Sequence, residues 1–142
     1  MKINTYPEFY IFSAAVGGQS EEQAYAQHEK LRSMFNSTVC CIGNTKEWGS
    51  ERSLIVFGQH MHKHYVAKEI VRQFNQESFL YVDQFRNTFI VPVVSRIEYI
   101  PDRQYIGHWE EITQFEAEQG MDHTFVPGMY FENKRPRYYA AR

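Results

Sequence analysis

Glu51, Ser53, Gln76 and Glu77 stand at the ends of short apolar runs, and Asp83 closes the last of them. Leu54-Ile55-Val56-Phe57 is short and bounded by Gly58, which suits a buried strand better than a helix. Val66, Ile70 and Phe74 then recur every four residues, with Ala67 and Val71 beside them. That spacing makes one apolar face of a helix. Phe79-Leu80-Tyr81-Val82 reads as a second strand, so residues 51–83 form a strand, a helix and a strand. A carboxylate, a hydroxyl and an amide at element ends are the groups a polar small-molecule site needs. The same residue types also serve as ordinary boundary residues.

His60-Met61-His62-Lys63-His64 is the one cluster with metal-ligand character. Alternate histidines share one side of an extended chain, and His60 and His64 share one side of a helix. Imidazoles suit zinc or copper. No cysteine or carboxylate at ligand spacing completes the set, and no H-E-x-x-H is present, so an exposed turn opening the helix is expected and no metal. G-x-S-x-G, the P-loop, G-x-G-x-x-G and C-x-x-C are also missing from the chain.

The elements that must carry these residues follow in order. Residues 8–16 are apolar on both alternating faces and predict a central strand covered on both sides. Ser20 with Gln23 gives a capping-box pattern, and Ala24, His28, Leu31 and Phe35 continue at helical spacing. A helix over 20–35 is predicted, with His28 at the core's edge. Residues 38–42 predict a strand holding Cys40 and Cys41, and the loop 44–50 with Trp48 is too long for a tight hairpin. Residues 88–94 predict another strand, where Pro92 implies an edge or a bulge. Beyond residue 101 the pattern predicts a strand over 104–113, a short helix ended by Gly120, and a turn with a short strand over 125–131. The basic segment 134–142 reads as a solvated tail, or as a patch for an anionic partner. The order β-α-β-β-α-β predicts one α+β domain of ferredoxin-like, split βαβ type. Two helices would cover one face of a mainly antiparallel sheet, with a core over 8–100 and a C-terminal extension over 101–142.

Bulk properties narrow the function. A net charge of −2 without a long basic run gives nucleic-acid binding no electrostatic support. No apolar run approaches the ~20 residues of a membrane span, and the N-terminus lacks the apolar segment of a secretory leader, so a cytoplasmic protein is expected. Adjacent Cys40 and Cys41 cannot bridge distant elements and read as free thiols of a reducing compartment.

One further pattern is a resemblance. Phe9, Ile11, Ser13 and Ala14 form F-x-I-x-S-A; Glu51, Ser53 and Val56 form E-x-S-x-x-V; Phe74, Gln76 and Glu77 form F-x-Q-E; and Asp83 ends the following strand. Over residues 9–94, with an echo at 105–107 and 128–131, this resembles the small bacteriophage S-adenosylmethionine lyases, formerly called hydrolases. The resemblance implies a PII-like assembly of ferredoxin-like sheets into a homotrimer with sites at subunit interfaces, in the cytoplasm of a host cell. It implies a cofactor-free reaction in which the substrate's own carboxylate expels 5′-methylthioadenosine and leaves homoserine lactone, depriving host methylation and restriction of the methyl donor. Glu51 would hold the substrate's ammonium and cationic centre. Ser53 and Gln76 would hold ribose or amino-acid polar groups, and Phe12, Ser13, Trp48 and Tyr81 would line the pocket. Cys40 departs from the pattern, standing where some relatives are expected to carry a site tyrosine. The competing reading is a non-catalytic module that binds and inhibits a host partner, suggested by 10 Tyr and 11 Phe in the chain.

Overall fold

Alternating apolar residues put β1 (Phe9–Ser13) in the middle of a sheet, between β3 (Gly49–Phe57) and β4 (Ser78–Val82). The computed structural model describes residues 8–16, 18–47, 49–58, 64–93 and 103–142. Its other elements are α1 (Glu21–Arg32), β2 (Val39–Thr45), α2 (His64–Arg72), β5 (Asn87–Pro92), β6 (Gln104–Ile112), α3 (Gln114–Glu118), β7 (His123–Val126) and β8 (Arg137–Ala141). Eight antiparallel strands close into a barrel in the order β1-β3-β2-β7-β8-β6-β5-β4.

This corrects the expected open ferredoxin-like, PII-like sheet. The first six elements do run β-α-β-β-α-β. The sheet they begin continues past β4 to β5 and past β2 to β7, and β6 and β8 join the two ends. The segment read as a C-terminal extension therefore supplies three strands of the wall, β6, β7 and β8. The basic segment read as a tail contains β8, hydrogen-bonded to β6 and β7. Pro92 marks no free edge, since β5 lies between β4 and β6. It is the last residue of β5, where the β6 ladder has already ended at Ile90.

Strand alternation splits most of the buried apolar residues into two cores, beside a small third cluster of Ile112, Ala117 and Ala140. Phe9, Ile11, Cys41, Ile55, Val82, Trp109 and Val126 fill the barrel interior. Trp109 stacks on Tyr139 at 5.6 Å and meets the edge of Phe9 at 5.5 Å. Tyr10, Phe12, Leu54, Val56, Phe79 and Val91 point outward, where Leu31 of α1 and Ala67 and Val71 of α2 cover them. α1 begins as its sequence requires. Ser20 accepts from the backbone N–H of Gln23, whose side chain accepts from the backbone N–H of Ser20.

His28 sits on α1 at 5% exposure with no hydrogen-bond partner for its Nδ1. Burial, chiefly, holds its pKa below the ordinary histidine value; Arg52 and Arg32 push the same way, and Glu29 opposes them. The unfolded chain thus takes up this proton at a higher pH than the folded one. The His28 contribution is complete above about pH 6.5 and is lost as pH falls below it. The urea midpoint is expected to drop between about pH 7 and about pH 5, and His28→Leu to flatten that drop. An equal drop in both proteins would assign it to other groups.

Candidate functional site

β1 ends and β3 begins at the same end of the barrel. Ser13 is in register with Ser53, and their hydroxyls lie 2.7 Å apart. Ser53 is only 3% exposed. The side chains two residues along, Ile11 and Ile55, belong to the interior cluster, so the hydroxyl pair faces into the barrel. Glu51 is two residues the other way on β3 and shares that face, but it is exposed, which sets it at the rim. Opposite Glu51 in the ladder is Gly43 of β2, and opposite Gly43 is Thr124 of β7. The rim thus presents a carboxylate and a bare backbone in one row above two serine hydroxyls, with the buried Thr124 at the end of that row.

Glu51 makes no ion pair among the described residues. Its neighbour Arg52 does not neutralise it, because alternation turns Arg52 to the outer side. There its guanidinium meets Glu21 at 3.3 Å and the ring of Tyr25 at 5.2 Å. An unpaired carboxylate beside neutral hydroxyls suits a cationic group on a polar small molecule.

Gln76 works mainly as a fastener. Its amide nitrogen donates to the carbonyl of Ala15 at 2.7 Å and to that of Phe74 at 3.3 Å. It ties the turn after α2 to the chain leaving β1; Asn75 at φ 57° makes that turn. Only its amide oxygen is left to offer a ligand.

Two expected pocket residues lie elsewhere. Phe12 is 0% exposed on the outer face, 6.0 Å from Phe35 and 5.7 Å from Phe79. It alternates with Ser13 and cannot share its surroundings. Tyr81 is also on the outer face, 5.1 Å from Tyr10, and donates its hydroxyl to the Glu8 carboxylate near the far end of β1. Burial, with Glu8, holds its pKa above the ordinary phenol range. Trp48, His60 and His62 lie outside the described residues, as does the side chain of His64. Among the described residues no three His, Cys, Asp or Glu gather as a metal site.

Cys40 and Cys41 are both free. Cys41 points inward, and burial first and Cys40 second push its thiol up to about 12. It is a protonated filler at neutral pH and no nucleophile. A tyrosine does reach Cys40: the Tyr130 hydroxyl accepts from its backbone N–H at 2.9 Å. Tyr130 belongs to a 3-10 turn at Gly128–Tyr130 and satisfies β2 where β7 has ended. Its partner is the Cys40 backbone, three residues before Gly43.

Gly43 and Thr124 were missed in the sequence. Gly43 falls between the strand predicted over 38–42 and the loop 44–50, and only the β2–β3 register sets it against Glu51. Thr124 has no local signal, because its place depends on β7 finding β2. No family model matches the chain, and no curated protein matches it in sequence.

The two groups of residues should separate in denaturation. Phe12→Ala is expected to cost about 3–5 kcal/mol, as a large buried ring lost from a core. Glu51→Gln should change stability by no more than about 0.5 kcal/mol, as an exposed, unpaired side chain. Urea titration of the two variants beside the parent measures this, and a large loss in Glu51→Gln would make it a fold residue.

Proposed function

We propose that the chain degrades S-adenosylmethionine to 5′-methylthioadenosine and homoserine lactone at this rim. The observation that carries the reading is the unpaired Glu51 carboxylate beside the Ser13–Ser53 hydroxyl pair, with Arg52 turned away. The resemblance at Glu51, Ser53, Gln76 and Ser13 supports the same chemistry.

The sulfonium is already a good leaving group. A carboxylate oxygen of the methionyl arm attacks its own γ-carbon, a C–O bond closes the five-membered lactone, and the C–S bond breaks with its electron pair going to sulfur. No proton, water, metal or organic cofactor enters the balance. The protein's task is to fold the arm into an attacking conformation and keep water from the γ-carbon. Glu51 draws in the ammonium and the cationic centre. A basic residue in its place would pair with the substrate carboxylate and quench the nucleophile. Ser13, Ser53 and the amide oxygen of Gln76 orient polar groups of the amino acid or ribose.

An exposed Glu51 needs a second surface over it to exclude water, and another copy of the chain in a homotrimer would supply one. A cytoplasmic setting follows from where the substrate is made. No helix among the described residues is long and apolar enough to cross a membrane.

Incubation with S-adenosylmethionine in ¹⁸O-water is expected to give methylthioadenosine and a lactone free of label. Glu51→Gln should slow turnover by about 10²–10³-fold with stability retained. Label in the γ-hydroxyl would make the enzyme a hydrolase, and full activity in the variant would remove Glu51 from the mechanism. Intact substrate would favour a non-catalytic binding module, for which Phe85, Phe115 and Met129 are the most exposed apolar anchors.

A further inference from the structure

Each described glycine except one has a reason in the fold. Gly18, Gly49, Gly107 and Gly120 have positive φ, which disfavours other residues. At Gly58 a Cβ would lie 2.2 Å from the Glu8 side chain, and at Gly128 it would lie 2.3 Å from the Lys134 carbonyl oxygen. Gly43 has neither reason. Its φ lies outside the left-handed region, and a Cβ would meet only the Ser53 hydroxyl at 3.7 Å and the Glu51 carbonyl at 4.0 Å. Those are ordinary contacts. Alanine would fit, and a strand paired on both sides gains from it, because interior glycine costs backbone entropy and packs nothing. Glycine inside a strand marks a bulge, a tight bend or the close approach of a ligand or another backbone; the β2–β3 register runs unbroken through Gly43, so no bulge accounts for it.

That place is specific. Gly43 faces into the mouth of the barrel between Glu51 and Thr124, beside the buried Ser53 hydroxyl. We infer that Gly43 is a specificity-determining residue whose bare backbone forms the floor for the methionyl arm of the substrate. The inference rests on the lyase reading and deepens it. Glu51 would hold the ammonium, and the carbon chain attached to it would cross the ladder over Gly43, the register partner of Glu51. A side chain there would lift the arm from the floor and part the carboxylate from the γ-carbon. The adenosine end, bound beyond the arm, would not feel the change.

The test compares Gly43→Ala and Gly43→Val with the parent chain. Thermal unfolding reports the fold, KM reports S-adenosylmethionine, and calorimetric titration reports methylthioadenosine, which has no methionyl arm. The expected result is a Tm for Gly43→Ala equal to or above the parent's. KM should rise about tenfold in Gly43→Ala and further in Gly43→Val, with methylthioadenosine affinity unchanged in both. A lower Tm in Gly43→Ala would show that the fold itself needs the glycine and would overturn the inference. So would an unchanged KM in Gly43→Val, or an equal loss of methylthioadenosine binding. A parent chain that neither binds nor turns over S-adenosylmethionine would sink the lyase reading and this inference with it. An active parent with an indifferent Gly43→Val sinks this inference alone.

Discussion

The pairing of β6 with β5 on one side and β8 on the other closes the sheet, and most of the structure depends on that closure. Opened at β6, the barrel would present two strand edges and turn its inner apolar face to water, an arrangement prone to edge-to-edge association. Closed, every strand has two neighbours, and the face bearing Phe9, Ile11, Ile55, Val82 and Trp109 becomes an interior. Trp109 is central to it. Lying between Tyr139 of β8 and Phe9 of β1, it joins the first strand to the last by packing, although those strands share no hydrogen bonds. Aromatic contacts of this kind each add about 0.5–1.5 kcal/mol beyond the area they bury.

The same alternation that builds the core also builds the rim. Along β3 the inward positions run from Phe57 through Ile55 to Ser53 and Glu51, from a large ring to an exposed carboxylate. β1 runs in parallel fashion from Phe9 through Ile11 to Ser13. The inner face thus runs from aromatics at one end to hydroxyls, a carboxylate and glycine at the other. Barrels of about this strand number have interiors just wide enough to be filled by side chains or to hold one small ligand. The charge at the rim stays available because the outer positions take up the neighbouring cation, Arg52.

The local features were legible and the global one was not. Ser20 and Gln23 announced the start of α1, and Val66, Ile70 and Phe74 announced the helix that became α2. Glu51, Ser53 and Ser13 were grouped through the resemblance; period two puts Glu51 and Ser53 on one face of β3, and the β1–β3 register adds Ser13. The same rule, applied strictly, would have removed Phe12, which alternates with Ser13, and Tyr81, which pairs with the outward-facing Tyr10. Closure had no such signal. β7 and β8 are only 4 and 5 residues long, and Arg137-Tyr138-Tyr139 looks like the start of a basic tail. Their pairings join residues far apart in the chain, a cost in loop entropy repaid only when the whole wall is formed.

Closure also changes what the rim can do. In the expected open sheet β2 would be an edge, and Gly43 would be a bare backbone facing solvent on its outer side. The barrel brings β7 against β2 instead, so that Gly43 lies between Glu51 and Thr124 and both its ladders are filled. For a reaction in which the substrate attacks itself, that difference matters more than any added functional group. The reacting carboxylate and sulfonium lose charge together in the transition state, so a site with few fixed charges and little water favours the step without supplying a nucleophile. An open edge would leave the arm hydrated and free to extend. On the proposed lyase reading, a walled rim with one carboxylate would hold the ammonium, bend the chain over a bare floor, and leave the substrate's own carboxylate as the strongest nucleophile within reach.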